Sequence, residues 1–260
     1  MSSDVGLPFF SSFKINESLK WQMSRAEKYA LIQVLETLQP EVAIEIGTFQ
    51  GGSLQVISHY SREVYSLDIS KAPSQLLSPQ FSNVHFKIGN SYEILASIFE
   101  EIENSGKKLE FILVDGDHSK NGVFKDLEAI LKYPHKNKIT IILHDSFNPQ
   151  CRAGIKAVDF SSYRMVEYVE LDYIMGSYSP NDNFLEMWGG FGMVKLNPTY
   201  QGPVVSVSES QKKLFRLAHL FSKHIIKDQL KFLIPIKRKV YGLLGKKHVL
   251  DMYDHFDDHY

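Results

Sequence analysis

Two short clusters of acidic and histidine residues each follow an apolar stretch of the chain. The first is Asp115-Gly116-Asp117-His118, directly after EFILV, and the second is His144-Asp145, directly after ITIIL. Carboxylates such as Asp115 and Asp145 are suitable ligands for a divalent cation. His118 is the first choice for a general base, because an ordinary histidine pKa of ~6.5 suits proton removal at neutral pH.

Structural explanations exist for the same residues. Asp117 and Ser119 could cap a helix over 121–132, and Asp145 with Ser146 could begin a helix near residue 150. His144 could be a buried, hydrogen-bonded side chain and His118 a structural one. The alternatives depend on the elements that carry the two clusters.

Strands and helices are predicted to alternate along most of the chain. The predicted strands are 42–47, 64–69, 83–89, 109–117 and 138–145, and the predicted helices are 17–38, 51–60, 91–105, 121–132 and 150–161. This alternation is typical of parallel βαβ units with helices on both faces of the sheet. Residues 163–196 lack a helical segment and are predicted to form an antiparallel pair that ends the sheet. The sequence therefore predicts a doubly wound, Rossmann-like α/β fold whose clusters meet at one sheet edge.

The C-terminal part of the chain differs in charge from the remainder. From Gln211 to His248 there are eleven Lys or Arg residues and one acid, Asp228. We predict an N-terminal helical segment over 1–40, the α/β domain over 41–200 and a basic helical tail over 201–260. The amphipathic stretch 208–234 is interpreted as a lid or homo-oligomer contact, with an anionic membrane surface as the alternative. Nucleic acid is not expected as a partner, because no recognised binding module accompanies the charge.

Localisation and redox state are predicted from what the sequence contains. The first residues carry no basic, apolar signal-peptide pattern, and no stretch approaches the ~20 apolar residues of a membrane span. A cytoplasmic location is therefore expected. Cys151 is the single cysteine, which excludes an intramolecular disulfide. It is interpreted as a small residue near a helix start rather than as a nucleophile.

The loop after the first predicted strand has the composition of a cofactor site. It reads Glu45-Ile46-Gly47-Thr48-Phe49-Gln50-Gly51-Gly52-Ser53, and its glycines permit a tight turn and close approach of a ligand. Phe49 replaces the second glycine of G-x-G-x-x-G, which disfavours a pyrophosphate-containing nucleotide. Asp68, at the end of the second strand, could bind ribose hydroxyls. Asn90 and Ser91, after the third strand, could meet an adenine edge.

These motifs together resemble a known family. EIGTFQGGS, VYSLDI, GNS, FILVDGDHS and HD, in this order, are similar to motifs of the class I methyltransferases that use S-adenosylmethionine. The resemblance covers about residues 20–196 and is strongest to the group related to macrocin O-methyltransferase and cephalosporin hydroxylase. It implies a seven-stranded sheet of order 3-2-1-4-5-7-6 with strand 7 antiparallel.

The resemblance also implies roles for the cofactor-site residues. Glu45 and Gly47, in the loop with Thr48, Gly51 and Ser53, would line the methionine part of S-adenosylmethionine. Asp68 would hold the ribose, Asn90 and Ser91 would lie near the adenine, and Asp115 would lie beside the methyl-bearing end.

A further implication concerns a metal and a base. Metal-dependent O-methyltransferases have ligands at positions that match Asp115 and Asp145, often with a second acid where this chain has His144. Magnesium prefers oxygen ligands, whereas histidine suits manganese or iron, and Asp117 could supply the missing oxygen. Related sugar O-methyltransferases carry a histidine that matches His118.

The expected activity is O-methylation of a sugar or another small polyhydroxylated metabolite, with possible help from magnesium or another divalent cation. One alternative is an enzyme of the same fold that hydroxylates its substrate. The other is a non-catalytic protein that binds a membrane through the basic tail.

Overall fold

A computed structural model describes residues 13–179 and 185–225. Within them the chain forms two compact units. The first comprises residues 13–177 and 188–212, and the second comprises residues 178–179, 185–187 and 213–225. The domain boundaries predicted near residues 40 and 200 stay predictions.

The first unit is built on a seven-stranded sheet. Its strands are β1 (Val42–Ile46), β2 (Glu63–Asp68), β3 (Val84–Ile88), β4 (Leu109–Val114), β5 (Ile139–His144), β6 (Val166–Ile174) and β7 (Phe191–Leu196). Their order is β3-β2-β1-β4-β5-β7-β6. Strands β1 to β5 pair in parallel, and β7 is antiparallel to both β5 and β6. The predicted fold class and strand order are therefore confirmed.

Helices connect the strands. They are α1 (Arg25–Leu38), α2 (Leu54–Tyr60), α3 (Ala72–Leu77), α4 (Ser91–Asn104), α5 (Lys120–Lys132) and α6 (Pro149–Ala157), with 3-10 turns at Ser78–Gln80 and Phe160–Ser162. Along β1, Val42, Ile44 and Ile46 pack into the hydrophobic cluster that contains α4, α5 and α6 residues. Ala43 packs into the opposite cluster, with α1 and α2 residues. Burial of both faces explains why the strands are almost continuously apolar.

The first helix begins later than the sequence predicts. It starts at Arg25 instead of residue 17, because Ser24 and Glu27 form a capping box. The Ser24 side chain accepts the Glu27 N–H, and the Glu27 carboxylate accepts the Ser24 N–H. Before this cap, every second residue is buried, at Leu19, Trp21 and Met23. Burial with a period of two is typical of an extended segment.

The antiparallel pair predicted within 163–196 corresponds to β6 and β7. Two further two-residue strands, Ser177–Tyr178 and Met187–Trp188, form a separate small sheet. Helix α7 (Lys212–Phe221) covers part of the helix predicted over 208–234. The rest of the predicted tail, from residue 226, and residues 1–12 lie outside the described residues. Among the helices described, none is long and apolar enough to cross a membrane.

Candidate active site

The structure brings the two acid–histidine motifs together at one edge of the sheet. Strands β4 and β5 are parallel neighbours, with Val114 opposite Leu143. The residues that follow them therefore leave the sheet side by side, and Asp115 Oδ1 lies 2.7 Å from His144 Nδ1. Asp145 adopts a left-handed backbone, with φ of 57°. Its Oδ2 lies 3.7 Å from His144 Nδ1.

His118 lies between the two carboxylates. Its Nε2 is 3.4 Å from Asp115 Oδ1 and 3.3 Å from Asp145 Oδ2. The side chain is 45% exposed, and its ring meets Trp188 edge-on at 5.5 Å. Burial opposes protonation of His118, but the hydrogen bond with Asp115 and the charges of both aspartates outweigh it and raise its pKa. His118 is therefore both accessible and held by two acids.

Glu27 is a member of this group that the sequence did not reveal. Its Oε1 lies 3.1 Å from His144 Nε2 and accepts the Gly190 N–H at 2.7 Å. The Gly189 N–H in turn donates to Asp145 Oδ1 at 2.6 Å. We refer to Glu27, Asp115, His118, His144 and Asp145 as the acid–histidine cluster. Two features of the sequence could have indicated its position. One is the S-x-x-E capping pattern of Ser24 and Glu27, which the longer predicted helix included, and the other is the Trp-Gly-Gly sequence at 188–190.

The carboxylates and imidazoles of the cluster stabilise each other's charged forms. His144 is buried, which disfavours its charged form, but the carboxylates of Asp115 and Asp145 and the hydrogen bond with Glu27 raise its pKa well above the usual value. Burial would raise the pKa of Asp115, yet His144 and His118 together lower it. The cluster thus stabilises a positive charge on its imidazoles beside negative carboxylates.

The donor atoms of the cluster fit a divalent cation. One atom each from Asp115, His144 and Asp145 lie within 4.8 Å of one another. The other nitrogen of His144 faces the Glu27 carboxylate, which is the usual outer-shell arrangement of a metal-binding histidine. Two oxygens and one nitrogen suit manganese or iron better than a site made of oxygen alone.

Asp117 lies outside this donor set. Its carboxylate accepts the Ser119 N–H at 2.7 Å, and Ser119 caps α5 by accepting the Gly122 N–H. The capping explanation therefore applies to Ser119, whose own N–H is held by the Asp117 carboxylate. It does not apply to Asp145, because Asn148 is the residue that caps α6.

A cavity of about 320 Å³ lies at the carboxyl ends of β1, β2 and β3. We call it the strand-end cavity. Four of the predicted cofactor-binding residues line it, namely Gly47, Asp68, Asn90 and Ser91, and Gly116, Asp117 and Asp126 complete the side nearest β4 and α5. Gly116 and Asp117 stand between Asp115 and His118 in the chain, so a single loop contributes residues both to the cavity and to the acid–histidine cluster.

Glu45 lies behind the loop and is not one of the residues that line the cavity. It is fully buried and accepts hydrogen bonds from Ser53 Oγ at 2.6 Å and Ser66 Oγ at 2.7 Å. Burial raises its pKa to about 8. Thr48 joins the same network through Ser66, at 2.7 Å between the hydroxyls. Glu45, Thr48 and Ser53 therefore fix the loop from inside.

Gly47 and Gly51 serve different purposes in this loop. Gly47 has φ of 93°, and a Cβ there would lie 2.0 Å from the Asp115 carbonyl oxygen. No other residue fits without moving the two strand-end loops apart. Gly51 has φ of 76°, which strains any other residue, and a Cβ there would meet only the flexible end of the Leu77 side chain, at 3.0 Å.

Asp68 binds the loop while it lines the cavity. Its Oδ2 accepts the N–H groups of Thr48 and Phe49, both at 3.1 Å, and its Oδ1 accepts the Ser70 N–H at 2.8 Å. These bonds hold the carboxylate at the end of β2. A ribose diol in the cavity could add to them, because a carboxylate has about four acceptor positions.

Asp126 is a second residue that the sequence analysis missed. It lies on α5, is buried, and accepts a hydrogen bond from Ser91 Oγ. Burial raises its pKa to about 6. The available signal was an acid within the apolar stripe of α5, three residues after Val123 and four before Ile130. Asp126 thus fixes Ser91 at the rim of the strand-end cavity.

Cys151 behaves as predicted for a structural residue. It is buried, its Sγ lies 3.4 Å from the His118 carbonyl oxygen, and burial raises the pKa of its thiol.

Comparisons with known proteins agree with the fold that carries this site. Residues 44–146 match the model of a methyltransferase domain family. No curated protein sequence matches the chain at a significant level. Among solved structures, an O-methyltransferase from Bacillus cereus in complex with S-adenosylhomocysteine is 17% identical, with 70% of this chain and 86% of that chain covered and a TM-score of 0.51.

A second solved structure is similar to the same extent. The O-methyltransferase TomG from Streptomyces achromogenes, involved in tomaymycin synthesis and solved with S-adenosylmethionine, is 13% identical. The match covers 69% of this chain and 82% of that chain, with a TM-score of 0.50. The predicted resemblance to class I S-adenosylmethionine-dependent methyltransferases is thereby confirmed. The narrower group, related to macrocin O-methyltransferase and cephalosporin hydroxylase, stays a prediction.

Proposed function

We propose that the chain is an S-adenosylmethionine-dependent O-methyltransferase that acts on a hydroxyl group of a small molecule, such as a sugar or another polyhydroxylated metabolite. The observation that carries this proposal is that the loop 115–118 contributes Gly116 and Asp117 to the strand-end cavity and Asp115 and His118 to the acid–histidine cluster. A cofactor in the cavity would then present its methyl group beside ionisable side chains.

The strand-end cavity offers a site for each part of the cofactor. The Asp68 carboxylate is available to the ribose hydroxyls, and Asn90 with Ser91 lies where the adenine edge would be. Gly47 lets the methionine part approach the backbone at the end of β1. Glu45, Thr48, Gly51 and Ser53 support this surface from behind. The methyl-bearing end would then lie toward Asp115.

Methyl transfer requires the acceptor oxygen to lie in line with the methyl group and the leaving sulfur. The oxygen must also lose its proton. We assign this proton to the imidazole of His118, because His118 is the most exposed member of the cluster. Asp115 and Asp145 orient the ring and stabilise the positive charge that it acquires.

Asp115, Asp145 and His144 are the residues that would hold a divalent cation. When bound, such a cation would polarise the acceptor oxygen and lower the pKa of its hydroxyl. The protein's own contribution is to fix the three donors, through Gly189 on Asp145 and through Glu27 on His144.

The activity can be tested with S-adenosylmethionine that carries an isotopically labelled methyl group. A panel of sugars and polyhydroxylated metabolites is incubated with the protein and the labelled S-adenosylmethionine, and the masses of the products are measured by mass spectrometry. We expect the label to appear in a product that is heavier by one CH₂ group. A product heavier by one oxygen atom would instead identify a hydroxylase, an alternative that the nitrogen donor of His144 favours because it suits iron.

The cation requirement is tested separately. Exhaustive chelation should abolish turnover, and Mn²⁺ should restore it. Full activity after chelation would reject the role assigned to Asp115, Asp145 and His144.

Helix α7 supports a proposal about partners. Leu214, Leu217, Leu220 and Phe221 are all exposed, and Lys212, Lys213 and Arg216 lie on the same helix. An exposed apolar stripe with basic neighbours is typical of a contact surface, either for a second copy of the chain or for an anionic membrane. Sedimentation velocity and co-sedimentation with anionic vesicles distinguish the two. Leu217→Glu should abolish whichever contact is found.

A further inference from the structure

Glu27 combines two tasks that are usually separate. In a capping box the glutamate normally serves only the helix N-terminus. Here Oε2 does so, by accepting the Ser24 N–H at 2.6 Å. Oε1 is directed away from the helix, towards His144 Nε2 at 3.1 Å and the Gly190 N–H at 2.7 Å. The residue is 2% exposed, so its charge is balanced by these contacts rather than by water.

The contact with Glu27 determines which nitrogen of His144 faces the other acids. An ionised carboxylate only accepts hydrogen bonds, so Glu27 accepts a proton carried by Nε2. Nδ1 lies on the opposite side of the ring, 2.7 Å from Asp115 Oδ1 and 3.7 Å from Asp145 Oδ2. A cation at the place where the two aspartates converge would bind Nδ1 in place of its proton, while Nε2 keeps its proton towards Glu27.

The turn at Gly189 and Gly190 links this arrangement to the second aspartate. Both glycines have positive φ values, 72° and 82°. Their consecutive N–H groups donate to Asp145 Oδ1 and Glu27 Oε1. A Cβ on Gly189 would lie 2.9 Å from Glu27 Oε1. The turn therefore holds the carboxylates of Asp145 and Glu27 on either side of His144.

From these contacts we infer that Glu27 is a positioning residue for a divalent cation held by Asp115, His144 and Asp145. It fixes the His144 tautomer and ring orientation from the N-terminus of α1. The inference rests on the proposed function in so far as that function places a cation on these three donors. It adds a fourth residue, from a distant part of the chain, that sets the affinity of the site.

The test measures Mn²⁺ binding to the metal-free protein by calorimetry, without S-adenosylmethionine or acceptor. Glu27→Gln keeps the size of the side chain but removes its charge, and its one remaining carbonyl oxygen must serve both His144 and Ser24. Loss of an outer-shell partner of this kind is expected to weaken Mn²⁺ binding by about 10- to 100-fold. Glu27→Asp, which keeps the charge on a shorter side chain, should weaken it less.

Ser24→Ala is the matched control. It removes the hydroxyl that accepts the Glu27 N–H but leaves the carboxylate of Glu27 facing His144. Both Ser24→Ala and Glu27→Gln weaken the cap of α1, and Glu27→Gln also removes the charge that faces His144, so thermal melts should report a larger loss of stability for Glu27→Gln. Only Glu27→Gln should lose Mn²⁺ affinity.

Two calorimetric outcomes would overturn the inference: equal Mn²⁺ affinity in wild type and Glu27→Gln, or no Mn²⁺ binding by the wild type. A parallel titration with S-adenosylhomocysteine separates either failure from a failure of the proposed methyltransferase function. Binding of S-adenosylhomocysteine without Mn²⁺ binding would reject the role of Glu27 and retain the cofactor site.

Discussion

At the scale of single residues, the position of His118 defines the expected chemistry. Its side chain is 45% exposed, while its Nε2 faces Asp115 and Asp145. A histidine with a purely structural role does not require two carboxylates at 3.3–3.4 Å from one ring nitrogen. A base that must accept a proton and then carry the charge does benefit from them.

His118→Asn tests this role. Loss of a general base is expected to lower kcat by about 10²-fold or more. Affinity for S-adenosylhomocysteine should be unchanged, because His118 does not line the strand-end cavity. Steady-state kinetics and calorimetry measure the two quantities, and His85→Asn on β3 controls for loss of a histidine outside the cluster. Wild-type turnover by His118→Asn would reject the assignment.

Glu45 gives a prediction about stability and pH. Its pKa is raised by burial from an ordinary 4.5 to about 8 in the folded protein. The unfolded chain therefore releases this proton at lower pH than the folded chain does, and stability is lost as pH rises between these values. Denaturant titrations from pH 5 to pH 8 should show a decline in the free energy of unfolding.

Glu45→Gln cannot ionise, so its decline over the same range should be shallower, and it should be more stable than the wild type near pH 8. Its amide can still pair with the hydroxyls of Ser53 and Ser66. Parallel curves for the two proteins would show that Glu45 does not carry the raised pKa.

At the scale of elements, the turn from β1 into the loop before α2 links the two halves of the site. Gly47 lies against the backbone of Asp115, so the loop that follows β1 and the Asp115 residue of the acid–histidine cluster touch directly. Movement of either loop must displace the other. The close approach also explains why a glycine directly follows this strand.

Gly47→Ala should separate the two loops. The added Cβ meets a backbone oxygen at 2.0 Å, so we expect affinity for S-adenosylhomocysteine to fall at least about tenfold, a loss of roughly 1.4 kcal/mol. Gly106→Ala is the matched control, since Gly106 has a similar φ of 74° with nothing within 4 Å of the added Cβ. It should lose about 1–2 kcal/mol of stability through backbone strain and bind normally. Equal binding by both variants would contradict the coupling of the loops.

At the scale of the whole molecule, the sequence was sufficient for the sheet but not for the complete cluster. Parallel strands buried on both faces are apolar throughout, and their ends carry the polar residues, so β1 to β5 and the positions of Asp68, Asp115 and Asp145 could be predicted. The predicted start of α1 was wrong. The prediction extended the helix back to residue 17, through a segment in which every second residue is buried.

Contacts across long distances in sequence could not be predicted. Glu27 is 117 residues from His144 and 163 from Gly190, and no local pattern relates them. Asp126 likewise lies 35 residues from Ser91. Only the folded arrangement shows that a helix-capping residue reaches the centre of the site. The surroundings of Glu45 could not be predicted either. Its motif suggested a contact with the cofactor, whereas its side chain accepts hydrogen bonds from Ser53 and Ser66.

The most direct test of the central claim is a calorimetric titration of S-adenosylhomocysteine into the full-length protein. If the strand-end cavity is the cofactor site, the wild type should bind one molecule per chain, and Asp68→Ala should weaken binding by at least about tenfold, because a charged hydrogen bond to the ribose is lost. No detectable binding by the wild type, or equal binding by Asp68→Ala, would contradict the account.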